Sequence, residues 1–534
     1  MAAGHEDDRL AGRRASRWVR PVSAALAGAL PAFAFPEPSL WWLAWVALVP
    51  WLLLVRGAAT DGQALVAGWA GGTGFMLAVH HWLLPSLHVF LFVLAALLGL
   101  LWAPWGWLVR RLLGGSPGPG SVAAAVVLVP SGWLFAELVR SWEYLGGPWG
   151  LLGASQWQIG PALRLASVGG VWLVSFVLVA ANTALAAAAA LLLARGAGRP
   201  AMSLTSVTAA AAALAVCGGA LAAAWAWAPK PHTGGKMRVA VIQPGVVKGQ
   251  RARLERSEEL TRRLEGRKMD LIVWGESSVS FDLGAHPRLR EQLADLSAQV
   301  GARILVNVDA RRSDRPGIYK SSVLISPDGP IGKRYDKTRL VPFGEYVPAR
   351  SLLGWATSVG RAAGEDRLRG DGPVMMQAAG VKFGPLVCFE SAFPDMSRQL
   401  ALDGAGLIIT QSSTSTFQDS WAPAQHASLG ALRAAETGRP IVHATLTGIS
   451  AVYGPRGERL GPWLGTDRST SEIYSVPLAT GTTLYLRTGD WIVHAALAAL
   501  AVYGAVTAAR ALRGRRRRDT DEPGRSDSSP SARR

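Results

Sequence analysis

Cys388 stands at the end of the run Gly380-Val381-Lys382-Phe383-Gly384-Pro385-Leu386-Val387, with Phe389 after it and a carboxylate, Glu390, two positions on. Pro385 lies too close for a helix to carry the thiol, so the run predicts a short strand and then a sharp turn. A thiol at a strand end is held by the sheet while its sulfur points into an open cleft, the placement a nucleophile needs. On this stretch alone, a buried structural cysteine packed like a small hydrophobe is the competing reading. Two other stretches put reactive groups directly after predicted strands. Glu276 follows Leu271-Ile272-Val273-Trp274-Gly275, and Lys337 and Glu345 lie in Tyr335–Pro348, YDKTRLVPFGEYVP. Singly, Glu276 could cap a helix or join a surface ion pair, and Lys337 sits among ordinary charges. Together a thiol, an acid and an amine are the minimum set for acyl transfer through a thioester.

The elements that must position these groups lie between Pro229 and Trp491. Pro229-Lys230-Pro231-His232-Thr233-Gly234-Gly235 reads as a linker. Beyond it, Met237–Gln243, Leu271–Trp274, Ile304–Val308, Ser322–Ile325, Pro385–Val387 and Leu407–Thr410 predict buried strands. Gln250–Arg267 and Pro287–Val300 predict amphipathic helices between some of them. The pattern is an α/β layered domain of about 250 residues, spanning 236–487.

The rest of the chain is of another kind. Of 534 residues half are apolar and 22 are Trp, and long Ala/Leu/Val tracts recur, so part of the chain should lie in a membrane. Apolar runs begin near Val22 and at Leu40–Val55, and continue at Ala64–Leu84, Val89–Val109, Val122–Val139, Val168–Leu193 and Leu204–Ala228. With Trp491–Ala509 they predict about eight transmembrane helices of ~20 residues: seven within 21–228 and one at 491–511. The first run could be a cleaved signal peptide ending at Ala32-Phe33-Ala34; the second run so close behind favours an uncleaved hairpin. Arg56, Arg110-Arg111, Arg195, Arg199 and Arg515–Arg518 fall repeatedly on one side of such a topology. The positive-inside rule then makes residues 1–20 and 513–534 cytoplasmic and the α/β domain extracytoplasmic. The tail 513–534, rich in Arg, Ser, Asp and Pro, predicts disorder. Glu137, Arg140, Trp142 and Glu143 cluster near an outer helix end, as a substrate entrance or as a mutually paired cap.

The net charge of +18 would suggest nucleic acid in a soluble protein, but much of it sits in arginine clusters beside apolar spans, where topology explains it. The two cysteines, Cys217 and Cys388, are placed apart, which excludes a disulfide scaffold and a Cys-rich zinc site. The nine histidines lack metal-ligand spacing, and no metal or cofactor is expected.

With these residues in view, the three stretches resemble the Glu–Lys–Cys signature of the nitrilase superfamily. Together with the membrane spans they resemble the apolipoprotein N-acyltransferase family. The likeness extends to Pro31–Pro50, to Trp133–Gln156 with RSWEYLGGPWGLLGASQ, and to Arg433–Ser450, RAAETGRPIVHATLTGIS; YDKTRLVPFGEYVP is its most specific stretch. The resemblance implies an αββα sandwich facing the periplasm of the inner membrane. It implies Cys388 as nucleophile, Glu276 as general base, Lys337 as oxyanion stabiliser, and Glu345 and Glu390 as supporting carboxylates. It implies a phospholipid acyl donor, a diacylglyceryl-cysteine amine of an apolipoprotein as acceptor, and ping-pong kinetics. Gly275 departs from the usual Pro, Phe389 from Tyr, and Leu446 from Asn. Leu352, Leu353 and Trp355, after Pro348, could dip into lipid and cover the cleft, or pack in the domain core. The competing functions are a membrane-anchored amidase or nitrile hydrolase with water as acceptor, and a non-catalytic scaffold.

Overall fold

The computed structural model of the protein describes residues 18–196, 204–348, 350–353 and 364–520. Two parts with different physics are joined at His232. In the first, the described residues hold four helices long and apolar enough to cross a membrane: Phe90–Leu113, Pro119–Arg140, Gly160–Ala190 and Thr205–Trp227. Trp491–Arg513 is a fifth, after the α/β domain. Five such helices stand among the described residues, where the apolar runs predict about eight. The first apolar run forms a helix over 18–29 and then the 3-10 turn Leu30–Ala34, and the second folds as Trp41–Trp45 and Val49–Arg56. Pro31, Pro36, Pro38 and Pro50 interrupt the hydrogen-bond ladder that a full span needs. Asn182 meets some of the freed backbone groups, donating to the Ala44 carbonyl at 2.9 Å and accepting from the Leu48 N–H at 2.9 Å. Asp61–Val79 is a third, glycine-rich helix. An added Cβ on Gly28 would lie 2.0 Å from the Gly71 carbonyl oxygen, so these segments pack backbone to backbone, as small residues permit.

The C-terminal helix runs Trp491–Thr520, into the stretch 513–534 expected to be disordered. Arginine is a good helix former and favours the negative end of the dipole. Residues 1–17 and 521–534 of the expected termini, and Arg199, lie outside the described residues.

The second part has eleven strands among the described residues. β1 (His232–Gln243), β2 (Leu271–Trp274), β3 (Arg303–Arg311), β4 (Ile318–Ser326) and β5 (Gly329–Asp336) lie in one sheet with β11 (Thr470–Thr480), in the order β11-β1-β2-β3-β4-β5. The other sheet has the order β10-β9-β8-β7-β6, from β6 (Met376–Ala378), β7 (Val381–Val387), β8 (Leu407–Ser412), β9 (Ile441–Thr445) and β10 (Ala451–Tyr453). Val241, Val273 and Leu305 of the first sheet share a core with Phe383, Leu407 and Val442 of the second, so the sheets stack face to face. Helices Gln250–Arg262 and Pro287–Val300 cover the outer face of the first. Pro394–Leu402 and Ala422–Thr437 cover the second, and their core is continuous with that of the membrane helices. The layers are therefore αββα.

One of the contacts between the two parts caps a broken helix. Gly169 and Gly170 break the helix Gly160–Gly196, and the N–H of Val171, just past the break, donates to Glu436 Oε1 at 2.7 Å. Arg433 Nη2 holds the same oxygen at 3.0 Å. A carboxylate from the α/β domain thus caps a membrane helix where its free N–H groups and dipole favour negative charge.

Candidate active site

Glu276 is one residue past the Gly275 that follows β2, Lys337 directly follows β5, and Cys388 directly follows β7. Parallel pairing of β7 with β8 ends at Val387↔Gln411. There the chain turns, and Cys388 has φ +53°, a left-handed conformation that a non-glycine residue holds only under strain. Glu390 fixes this elbow. Its Oε2 accepts from the Val387 N–H at 2.8 Å. Its Oε1 accepts from Thr338 N, Thr338 Oγ1 and Arg339 N at 2.7, 2.9 and 3.0 Å, and the Tyr335 hydroxyl donates to both oxygens at 2.8 Å. One buried carboxylate therefore ties the cysteine turn to the lysine loop. Burial pushes the Glu390 carboxyl above its ordinary range, although Lys337 and the backbone donors pull the other way.

The amines and acids form a buried cluster. Lys337 Nζ lies 2.8 Å from Glu345 Oε1 and 3.5 Å from Glu276 Oε1. A second amine, Lys320 Nζ of β4, lies 2.7 Å from Glu276 Oε1 and 2.9 Å from Glu345 Oε1. Glu345 Oε2 accepts from the Val341 N–H at 2.9 Å. Two cations and two anions balance, as burial requires. Burial raises the Glu276 carboxyl, but Lys320 and Lys337 outweigh it and hold the group below the carboxylate range. The same opposition, with hydrogen bonds added, holds Glu345 at about 2. The Cys388 thiol is pushed up to about 12, first by burial and then by the Glu276 charge, against the pull of Lys337 and Lys320. Near neutral pH these shifts leave Cys388 a neutral thiol and Glu276 an ionised carboxylate.

Lys320 was not legible as a site residue; its one signal is a charge inside the otherwise uncharged strand Ile318–Ser326. His426 was also missed. Its Nε2 lies 3.1 Å from the Cys388 carbonyl oxygen and 3.0 Å from Ser391 Oγ, and its Nδ1 3.1 Å from Ser412 Oγ. Burial lowers it to about 4, so it is a neutral prop beneath the elbow. Phe389 is buried against Phe393, ring centroids 4.9 Å apart, and against Gly147 of the membrane part, where an added Cβ would lie 2.6 Å from its ring. Trp355 lies outside the described residues, and Leu352 and Leu353 are described only as backbone of the turn Arg350–Leu353. The Glu137–Glu143 cluster pairs outward rather than within itself. Glu137 accepts from the Leu152 N–H at 2.7 Å, Arg140 donates to the Trp149 and Gly150 carbonyls at 2.7 and 2.8 Å, and Glu143 accepts from Arg369 at 2.7 Å. Cys217 is free, like Cys388. Among the described residues no three His, Cys, Asp or Glu side chains are grouped to hold a metal ion.

A cavity of about 230 Å³ opens on Cys388, and its far wall is made by membrane helices, with Met76, Leu91, Ala95 and Leu98 lining it. Helix Phe90–Gly99 divides two environments: Leu91, Ala95 and Leu98 face inward, while Phe92, Val93 and Leu97 on its other side are exposed. An apolar space beside the thiol is thus separated by one helix from the surface a bilayer would cover.

Residues 238–480 match the carbon-nitrogen hydrolase family, and the αββα layers carry the cysteine, lysine and glutamates at strand ends. The second part is a carbon-nitrogen hydrolase domain, here built onto a membrane protein. Residues 27–184 match the apolipoprotein N-acyltransferase N-terminal domain. Apolipoprotein N-acyltransferase of Azotobacter vinelandii is 31% identical over 503 residues, covering 89% of this chain and 92% of the relative. That of Pseudomonas putida is 31% identical over 464 residues, covering 82% and 87%, and that of Geobacter metallireducens 29% over 508, covering 91% and 94%. The chain belongs to the apolipoprotein N-acyltransferase family and is an acyltransferase.

Proposed function

We propose that the chain moves an acyl group from a phospholipid to the α-amine of a diacylglyceryl-cysteine on an apolipoprotein, through a thioester on Cys388. The observation that carries this reading is the apolar cavity walled by membrane helices and ending at that thiol. A small-molecule hydrolase using water has no use for such a space, and a scaffold has none for a buried Lys–Glu cluster beside a cysteine.

In the first half, Cys388 Sγ attacks the ester carbonyl as its proton passes to Glu276. Lys337 offsets the charge on the tetrahedral oxygen. The C–O bond breaks, the proton goes from Glu276 to the leaving alkoxide, and lysophospholipid departs. In the second half the amine attacks the thioester and gives its proton to Glu276. The C–S bond breaks, and Cys388 takes the proton back. An α-amine titrates near ~8, so a base serves this half too. Glu345 supports Lys337, and Glu390 supports the elbow on which Phe389 also packs. The membrane is the bacterial inner membrane. The domain 236–487 faces the periplasm between 21–228 and 491–511.

Mass spectrometry of a diacylated lipopeptide incubated with protein and phospholipid should show one added acyl group on the amine. Protein stopped before acceptor is added should carry the acyl group on Cys388. A Cys388→Ala protein that still formed a covalent acyl adduct would refute the scheme.

A further inference from the structure

A second cavity, of about 580 Å³, lies apart from Cys388 where the last membrane helix before the α/β domain leads into β1. Its walls are close-packed. Trp225 seals one side against Gly160, where an added Cβ would lie 2.9 Å from its ring. The other side is the turn after β10, which carries Arg456 and Arg459. It is seated so that an added Cβ on Gly457 would lie 2.5 Å from the Ala431 carbonyl oxygen and 3.1 Å from the Leu163 methyls. Arg164 and Trp157 also line the space, and Lys230 of the linker completes it.

The charges in this groove are unbalanced. Arg164, Lys230, Arg456 and Arg459 line it, and Glu458 is the only acid among the lining residues. Glu458 is already engaged, accepting from the Arg456 N–H at 2.8 Å. Among the described residues Lys230 and Arg459 make no ion pair. Arg164 is 5% exposed, its Nη2 donates to the Ala228 and Pro229 carbonyls, and its Nε has no partner. Arg456 repels it across the groove. A buried guanidinium N–H without an acceptor, beside three more cations of which only Arg456 is paired, with Glu458 at 3.7 Å, is stabilised by an anion. The position says which kind. Gly160–Ala190 and Thr205–Trp227, the two helices whose ends frame the groove, are apolar enough to span a bilayer. Trp225 is 55% exposed at such an end, as tryptophans are at the lipid–water boundary.

We propose that this groove binds the phosphate of an anionic phospholipid headgroup, as a lipid site separate from the cavity at Cys388. Arginines suit phosphate through paired N–H bonds, and interfacial lysine adds attraction for anionic lipid. The site goes beyond the acyl-transfer reading and stands without it.

The test uses full-length Cys388→Ser protein, in which no acyl donor is consumed. Native mass spectrometry counts lipids retained on titration with phosphatidylglycerol or phosphatidylcholine, with inorganic phosphate as competitor. Phosphatidylglycerol should be retained with one more molecule, or about tenfold or more tighter, than in the same protein carrying Lys230→Gln, Arg456→Gln and Arg459→Gln. All three of those side chains are on exposed residues. Arg164→Gln should show the same loss, while phosphatidylcholine should not distinguish the proteins. Equal retention of phosphatidylglycerol by parent and triple variant overturns the proposal. Displacement of the lipid by millimolar phosphate also overturns it, as a site for free anions.

Discussion

Lys320 Nζ lies 2.7 Å from Glu276 Oε1, closer than Lys337 Nζ at 3.5 Å. Glu276 is therefore held by an amine from β4, while Lys337 is held mainly by Glu345 at 2.8 Å. In the proposed reaction Lys337 turns toward the tetrahedral oxygen while Lys320 keeps Glu276 in place.

Lys320→Met removes one partner from a buried charge cluster, a change that costs about 3–5 kcal/mol where nothing replaces it. The carboxyl of Glu276, freed of its larger cation, should move up toward the ordinary range. Thioester formation should fall by about two orders of magnitude or more while the protein still inserts and purifies. Single-turnover acylation by phospholipid reads this directly. Wild-type rates in Lys320→Met would show that Lys337 alone positions the base.

The pH behaviour of the thiol separates its acidic from its basic neighbours. A thiol near 12 exposes a thiolate fraction that grows tenfold per pH unit from 7 to 10, whereas an ordinary thiol levels off near ~8.5. Iodoacetamide alkylation of Cys388 should follow the first course. Glu276 raises the thiol and the two lysines lower it, so Glu276→Gln should alkylate faster at pH 7 yet fail in acyl transfer. A plateau near pH 8.5 in the wild type, or slower alkylation in the variant, contradicts the charge assignment.

How much of this was legible follows from where each residue sits. Glu276 and Cys388 stand just past short apolar runs, where a sequence visibly changes character at the edge of a sheet, whereas Lys337 follows the charged strand Gly329–Asp336 and was legible through the stretch YDKTRLVPFGEYVP. Lys320 sits inside a strand and points at the site by the two-residue alternation of the backbone, which one charge cannot reveal. β11 was missed because Thr470–Thr480 is an edge strand carrying Pro477 and exposed polar residues. β9 was missed because its His443 hides in a buried core beside His426, ring centroids 4.8 Å apart. The positive φ of Cys388 has no sequence mark at all. Gly275 does. An added Cβ there would lie 1.9 Å from the Leu446 N, so two of the three departures from the family pattern touch each other, and the missing side chain makes room for that backbone.

Glu390→Gln tests the link between elbow and lysine loop. The carboxylate takes donors on both oxygens, Val387 N on one and Thr338 and Arg339 N on the other. An amide can meet only one side. The other faces N–H against N–H, at about 1–3 kcal/mol for each buried donor left unsatisfied. Melting should occur several degrees lower, with slower thioester formation. Unchanged melting and rate would mean the elbow is held by His426 instead.

The cavity makes the sharpest division between chemistry and lipid recognition. Ala95 and Leu97 lie on opposite sides of helix Phe90–Gly99: Ala95 is buried and lines the space that reaches Cys388, while Leu97 is 59% exposed on the outer side. Ala95→Phe fills volume that an acyl chain would occupy. Leu97→Phe adds the same ring to the lipid-facing surface. The first should slow thioester formation from phospholipid about tenfold or more, since a long chain loses roughly 0.8 kcal/mol for each methylene denied burial. Iodoacetamide, small enough to pass, should alkylate Cys388 at the wild-type rate in both variants, and Leu97→Phe should acylate normally. If Ala95→Phe acylates from phospholipid as fast as wild type, the chain reaches the thiol by another route and the membrane helices do not shape the donor site.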